Sequence, residues 1–423
     1  MDNFWLDQAS CVKIFTNPRV FVESTRLAII AGHPVQYVAP WLAQLARAEN
    51  IEIHVFYLWD FGVVEAKDPG FGITLEWDIP LLEGYSYSFV PNISSDPGNH
   101  HFMGYINPGL ARQVAAWKPD VVFLMNYAFL SYFLFLLDSR TWRWPILFRG
   151  DSHDVGRQDK LRVRISRLIR TIVFSRFSAF LDVGKNNRNY LLASGVPLRK
   201  LFHSPHAIDN QRFQAALPQA LCQAKILRSS LLIREDQTLI TFVGKFIAIK
   251  RPFDLLRAFS LLAPDIRRRA ALLFVGEGSL KNDLRCAIRA GELEDVHFLD
   301  FQNQSSMPSV YSAADLLVLP SQQETWGLVV NEAMNLSCPA LVSDHVGCAP
   351  DLIVSDQTGW VFQTGNVLAL RDILEKAISD PVKLRQMGVN AANHVSRYSY
   401  EAASVGLHQA LNDVKRKRLC NGF

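Results

Sequence analysis

Cysteine is sparse in this 423-residue chain: six residues at 11, 222, 286, 338, 348 and 420, with no C-x-x-C spacing. That excludes a disulfide framework and a four-ligand zinc site, and it suits a reduced compartment. Cys338, Cys348 and His345 are therefore read as small residues packed near a sheet edge and not as metal ligands. Long apolar runs are also missing. The longest, Val121 to Leu137, is broken by Asn126 and Ser131 and follows the turn signal Lys118-Pro119-Asp120. It reads as a buried strand, a loop and a helix, not as a membrane span. Met1 to Glu23 mixes Asp, Lys and Asn with short apolar clusters, so no secretory signal is expected. Charge of one sign is not in excess, since 44 basic and 40 acidic residues leave a net +4. No nucleic-acid partner is expected from that balance. Asp-x-Asp is absent, and the Gly276-Glu277-Gly278 turn lacks the third glycine of a dinucleotide fingerprint.

What is present is an alternation of short apolar runs and amphipathic stretches. At this length the chain suits two domains of roughly 200 residues. Leu27–Ala31, Ile51–Leu58, Val121–Met125 and Ile146–Phe148 read as strands, with a helix over Ala39–Ala48. The rhythm returns with strands at Leu239–Val243, Ala271–Val275, Val296–Leu299, Leu316–Leu319 and Pro339–Ser343, separated by helical segments. This βαβ order predicts parallel sheets covered by helices, an α/β fold of two Rossmann-like domains. Residues 1–211 form the first domain, 212–397 the second, and 398–423 a closing helix and tail that packs back on the first. The segment Ala66–Tyr105 breaks the rhythm and reads as a long excursion of hairpin or loop character. The junction falls near Asp209 to Leu217, with a polar helix after Pro218. Two doubly wound domains facing each other create a cleft at the carboxyl ends of their strands, where ligands of open sheets bind.

The stretch Ser321 to Met334, SQQETWGLVVNEAM, joins a short strand to a helix start. The first N–H groups of such a helix attract an anion. Glu324 and Glu332, eight apart, flank that anion site and suit hydroxyl groups on either side of it, as in a nucleotide sugar. The alternative for the pair alone is a solvated helix start. Gly244-Lys245 and Lys250-Arg251 straddle another strand–helix loop and suit phosphate; a solvated loop is the competing reading. Asp351 is read as a helix cap.

Taken in order, Gly244-Lys245, Lys250-Arg251, FVGEGSL, DFQNQSSMPSVYSAADLLVLPS, ETWGLVVNEA, VGCAPDLI and TGWVF resemble the family 4 retaining glycosyltransferases, over about residues 239 to 366. Upstream, His206-Ala207-Ile208-Asp209-Asn210 with Phe213 resembles that family's hinge motif. The resemblance implies a GT-B fold and transfer of a sugar from a nucleotide-diphosphate-sugar to a saccharide or lipid-linked acceptor. It implies that Lys245 and Lys250 hold the diphosphate. Glu324 then takes donor-sugar hydroxyls, Thr325, Trp326, Gly327 and Leu328 present backbone N–H groups, and Glu332 grips the ribose. Gly32, followed here by His33-Pro34, would allow close approach of donor and acceptor, and Gly244 close approach of the phosphate. In Arg149-Gly150-Asp151-Ser152-His153-Asp154, Asp151 or His153 is expected at the reaction centre, with Arg149 nearby; a cap or surface loop is the alternative for each. Neither metal nor cofactor is expected. A nucleotide-sugar epimerase and a silent nucleotide-sugar-binding scaffold are the competing functions.

Lys160 to Arg176 holds six basic residues and no acid, interleaved with Val163, Ile165, Leu168, Ile169, Ile172, Val173 and Phe174. At helical spacing this is an apolar stripe edged by cations, suited to an anionic membrane surface. The alternative is an ordinary helix whose stripe is core. A cytoplasmic chain is expected, with peripheral attachment to the inner membrane face as the further expectation.

Overall fold

The computed structural model describes residues 24–63, 66–67, 74–156 and 160–420; Met1 to Glu23 lies outside them. The chain runs through β1 (Thr25–Ala31), α1 (Ala39–Ala46), β2 (Ile51–Tyr57), a hairpin of β3 (Ala66–Lys67) and β4 (Thr74–Leu75), and β5 (Ser86–Phe89). Next come α2 (Leu110–Trp117), β6 (Val121–Leu124), α3 (Leu130–Leu137), β7 (Ile146–Arg149), α4 (Lys160–Phe174), β8 (Ala179–Asp182), α5 (Lys185–Ala193) and β9 (Leu201–His203). These strands build a seven-stranded parallel sheet in the order β5-β2-β1-β6-β7-β8-β9.

After α6 (Asn210–Ser230) follow β10 (Thr238–Val243), α7 (Pro252–Ser260), α8 (Pro264–Arg267), β11 (Ala270–Val275), α9 (Lys281–Ala290), β12 (Val296–Leu299) and α10 (Met307–Ala313). The second lobe continues with β13 (Leu316–Leu319), α11 (Leu328–Asn335), β14 (Ala340–Ser343), α12 (Ala349–Leu352), β15 (Gly359–Phe362), α13 (Val367–Ser379) and α14 (Pro381–Val395). Its six strands are parallel in the order β12-β11-β10-β13-β14-β15. Each sheet is covered on both faces, so its strands read as unbroken apolar runs: every residue of β10 (TLITFV) and β11 (AALLFV) is buried. Strand order reverses between β1 and β6 and between β10 and β13, the switch points where doubly wound sheets bind ligands.

Two elements differ from the sequence reading. The excursion after β2 contains the expected hairpin, but Ser86–Phe89 also forms an edge strand parallel to β2. Ser86 and Ser88 interrupt its aromatics and bond the two ring nitrogens of His54 on β2, and none of its four residues is buried, so no apolar run announces it. The junction is not a linker before a helix. Asp209 caps Arg212 N–H at 2.9 Å and starts α6 eight residues ahead of Pro218, which sits exposed inside the helix. Burial of Phe213, Ala220 and Ala224 offsets the roughly 3 kcal/mol an interior proline costs. Cys338 and Cys348 are buried thiols, raised well above the ordinary thiol range by burial.

The last helix, α15 (Tyr400–Cys420), leaves the second lobe and packs on β8, β9 and α1 of the first. Trp41 Nε1 donates to Ser404 Oγ at 2.9 Å and Ser204 Oγ to the Ala403 carbonyl at 3.0 Å. Gly406 is required there, because a Cβ would lie 1.9 Å from the His203 carbonyl oxygen.

Candidate active site between the two lobes

The carboxyl ends of β1, β6, β7 and β8 converge on one cavity of about 440 Å³. Its walls include Gly32, His33, Tyr37, Tyr105, Asn126, Arg149, Asp151 and His206 from the first lobe, and Leu328 at the start of α11 from the second. Each strand contributes the residue just past its last ladder bond, where side chains turn from the sheet toward the cleft. Gly32 lines this cavity, but the space left by its missing Cβ is bounded by the Tyr105 ring at 3.0 Å.

Asp151 lines the cavity; His153 does not. Burial opposes ionisation of Asp151, yet hydrogen bonding and charge from His206 and a bond from Thr325 outweigh it and bring its pKa to about 2. His206 Nε2 lies 3.8 Å from Asp151 Oδ2. Burial, together with the Arg149 charge, holds the imidazole of His206 below its usual range despite Asp151. Arg149 is buried, its pKa lowered by desolvation to about 10 with Asp151 opposing, so the guanidinium remains charged at neutral pH. It donates to the Pro205 carbonyl at 3.1 Å and lies over the Trp41 ring, while its Nε has no partner. The first-lobe wall therefore carries a fixed cation and an ionised carboxylate side by side.

His153 holds the lobes together instead. Its Nε2–H donates to the Glu324 carbonyl at 2.8 Å, and its Nδ1 accepts from Val155 N–H at 3.2 Å. With both ring nitrogens engaged in a buried site, it ties the Glu324 loop to the first lobe. Asp154 is bound by Arg170 at 3.1 Å and Arg167 at 3.5 Å, which makes it a partner of α4.

In the second lobe, Lys250 forms an ion pair with Glu324. Lys245 is half-buried at the end of β10, beside Gly244, whose φ of +152° favours glycine; a Cβ on Gly276 would lie 2.1 Å from the Gly244 carbonyl oxygen, so the two turns pack backbone to backbone. Gly327 has φ +97° and starts α11 with no side-chain cap, so its first amides keep no side-chain partner. Thr325 bonds Asp151 across the cleft. The Trp326 indole is buried, donating to Asn331 Oδ1 at 2.8 Å and lying 2.4 Å from where a Gly184 Cβ would stand. Its carbonyl accepts from Cys348 N–H at 2.9 Å.

Glu332 lies deeper than its sequence position suggests, 1% exposed. Tyr311 donates to its Oε2 at 2.6 Å, Gln304 Nε2 stands 3.4 Å from Oε1, and Tyr37 of the first lobe also bonds it. Burial raises its pKa above the ordinary range despite these donors and the Arg212 charge. Tyr37 forms the wall between the cavity and this carboxylate. Asp351 is a cap, as expected, but of a different helix: it accepts Lys185 N–H at 3.0 Å and so caps α5 in the opposite lobe. A further cross-lobe contact comes from the excursion after β2. There Asp78 accepts from Ser305 N–H at 3.1 Å, and Asn303 Nδ2 donates to the Glu76 carbonyl at 2.7 Å.

The sequence reading gave no site role to Tyr37, Tyr105 and Asn126, which lie in loops with no motif spacing to Glu332 or Asp151. Gln304 and Tyr311 lie inside the stretch DFQNQSSMPSVYSAADLLVLPS, but nothing local showed that their side chains meet Glu332.

Residues 223–394 match the family model described as glycosyl transferases group 1. A D-inositol 3-phosphate glycosyltransferase from Corynebacterium diphtheriae is 30% identical over 181 residues, covering 41% of this chain and 42% of that protein. The chain thus spans about two fifths of the length of the curated relatives it matches. Among solved structures, Anabaena Alr3699/HepE in complex with UDP and glucose superposes with a TM-score of 0.67 at 16% identity, over 92% of this chain and all of that one. An alpha,alpha-trehalose-phosphate synthase (UDP-forming) from Burkholderia vietnamiensis superposes with a TM-score of 0.70 at 13% identity, over 93% and 99%. The second lobe carries the group 1 glycosyl transferase pattern, and the chain as a whole has the two-lobed GT-B fold.

Proposed function

We propose that this chain is a retaining glycosyltransferase of the family 4 type, moving a sugar from a nucleotide-diphosphate-sugar to a saccharide or lipid-linked acceptor. The observation that carries the reading is the meeting of three features at the cleft. They are the Lys250–Glu324 pair, the uncapped start of α11, and a first-lobe cavity with Asp151 and Arg149 on its wall. The UDP and glucose bound by Alr3699/HepE, and the inositol phosphate in the name of the D-inositol 3-phosphate glycosyltransferases, fit the same division into a donor side and an acceptor side.

In this mechanism the donor diphosphate lies against the α11 N-terminus, Lys245 and Lys250, while Glu324 takes sugar hydroxyls once Lys250 turns to the phosphate. The acceptor occupies the cavity. Its hydroxyl oxygen bonds the anomeric carbon on the face that the diphosphate leaves. The C–O bond electrons go to the departing phosphate, and the acceptor proton passes to a phosphate oxygen. Lysines and helix amides stabilise the charge that develops there, in a site whose dipoles are already oriented. His153 acts by fixing the Glu324 loop. Ribose reaches Glu332 by displacing the Tyr37 hydroxyl. No metal or cofactor enters this chemistry.

Acceptor-dependent release of nucleoside diphosphate, followed across a panel of nucleotide sugars, tests the reading. Release without acceptor would favour an epimerase or hydrolase. Donor binding with no turnover under any acceptor would favour a scaffold.

The same proposal includes peripheral attachment to an anionic membrane. No helix among the described residues is long and apolar enough to cross a bilayer. On α4, however, Leu161, Ile165, Leu168, Ile169 and Ile172 are 52–68% exposed. The inward side buries Arg170, bonded to Ser194 and Asp154, together with Val173 and Phe174 of the expected stripe, which join the first-lobe core. The rest of the stripe faces out. Arg176 Nη2 donates to the Thr141 carbonyl at 2.7 Å, which sets exposed Trp142 near the same face. An outward apolar stripe with cations and no acid matches the charge and depth of an anionic headgroup layer.

A further inference from the structure

The loop between β5 and α2 carries three metal-ligating side chains that the proposed transfer does not use. Asn92 closes the base of this loop: its Oδ1 accepts from Ser94 N–H at 3.0 Å and Ile106 N–H at 2.9 Å, and its Nδ2 donates to the Gly104 carbonyl at 2.9 Å. Ser94 Oγ donates to the Met103 carbonyl at 2.8 Å. The two arms touch so closely that a Cβ on Gly104 would lie 1.9 Å from the Gly98 carbonyl oxygen. This frame fixes a tip bearing Asp96, His100 and His101, and Asn99 on the same tip lines the 440 Å³ cavity.

We infer that Asp96, His100 and His101 form a binding site for a divalent cation of the zinc class at the rim of that cavity. Asp96 Oδ2 lies 3.0 Å from His100 Nε2 and 3.2 Å from His101 Nε2, and the three ligand atoms all lie within 4.8 Å of one another. Metal bonds of about 2.0–2.1 Å place neighbouring ligand atoms about 3.0 Å apart at right angles and about 3.4 Å apart at tetrahedral angles. The two oxygen–nitrogen separations already fall in that interval. Two imidazoles with one carboxylate select zinc, cobalt or nickel over magnesium or calcium. The partly exposed tip leaves the remaining coordination positions to water or to an anionic group entering the cavity.

Loading requires one local exchange. His101 Nε2 now donates to the Asp96 carbonyl at 2.9 Å, while Nδ1 accepts from Met103 N–H at 3.2 Å. Coordination through Nε2 moves the ring proton to Nδ1 and gives up both bonds, and water can solvate the exposed Met103 segment. His100 makes no backbone bond among the described residues, so its substitution removes a ligand without touching the loop frame.

The inference is independent of the transferase reading, and its test reads metal directly. The full chain, stripped with EDTA, is titrated at pH 7.5 with Zn²⁺ by calorimetry and with Co²⁺ by visible absorption. One equivalent should bind, giving d–d bands of a four- or five-coordinate ion, and zinc should raise Tm. His100→Ala, His100→Gln and Asp96→Asn should each weaken binding by at least roughly tenfold, with Tm in EDTA unchanged, since each removes one ligand of three. Uptake that persists undiminished in the H100A/H101A double variant would overturn the site. So would the absence of saturable uptake below about 100 μM in the unsubstituted chain, a level well short of designed three-ligand sites.

Discussion

Glu332→Gln separates a ligand-binding carboxylate from a core group, because the two roles move stability and affinity in opposite directions. Its carboxylate is buried among Tyr311, Gln304 and Tyr37 and has a raised pKa, with burial the first cause. A folded-state pKa above the unfolded value means that the folded chain binds more protons in that window. Stability therefore falls as pH rises through it, and the penalty is fully present at pH 8. Glutamine carries no such penalty, and the two tyrosine hydroxyls can rotate to donate or accept, so the cage stays satisfied. The variant should melt at or above the parent temperature at pH 8, and the gain should shrink as pH is lowered into the carboxylate range. Nucleotide affinity should move the other way. Hydrogen bonds to a charged acceptor contribute about 1.5–3 kcal/mol and neutral ones about 0.5–1.5, so two ribose hydroxyls lose roughly 2–3 kcal/mol together, or about 30- to 150-fold in Kd. Thermal melts at pH 5 and 8 with calorimetry of the nucleoside diphosphate measure both. A fall of about 5 °C or more at pH 8 with Kd within twofold would refute the reasoning, since it would make Glu332 a structural group alone.

Four further perturbations test other parts of the account. Lys250→Ala should abolish turnover, by about 10²-fold or more, while leaving the melting profile intact; full activity would remove Lys250 from the phosphate site. Gly406→Ala forces a Cβ onto the His203 carbonyl and should cost about 1–3 kcal/mol in denaturant unfolding, by lifting α15 off the first sheet. Asp151 is depressed to about 2, so its ionised form stabilises the fold above the unfolded value near 3.8 and that contribution is lost as pH falls toward 2. Asp151→Asn should flatten acid unfolding between about pH 4 and 2 while reducing turnover at pH 7. Ile165→Ser with Leu168→Ser should weaken sedimentation with phosphatidylglycerol vesicles and leave melting unchanged, and binding by the parent chain should fall with salt. Association indifferent to lipid charge and salt would count against the membrane face.

Legibility in the sequence followed burial. Strands such as TLITFV and AALLFV stood out because a parallel sheet covered on both faces needs uninterrupted apolar runs. Ser86–Phe89 did not, because at the sheet edge its serines bond His54 of β2 and break the apolar run. The α4 stripe was visible, but a helical period says only that one face is apolar, not which way it points. Arg170 decided the matter by burying its guanidinium between Ser194 and Asp154. Asp351 shows the same limit in another form. The residue type announced a cap, yet the amide it caps is Lys185, 166 positions away.

The sequence by itself determined the two sheets, the order of elements and the stretch carrying Glu324, Gly327 and Glu332. Each of these rests on local period, backbone preference and short spacing. Only the tertiary structure decided that Tyr37 covers Glu332, that His153 bonds the Glu324 carbonyl across the cleft, and that Asp78 and Asp351 tie the lobes together. Those contacts join residues far apart in the chain, and no local pattern specifies a partner that the closing of two sheets brings within 3 Å.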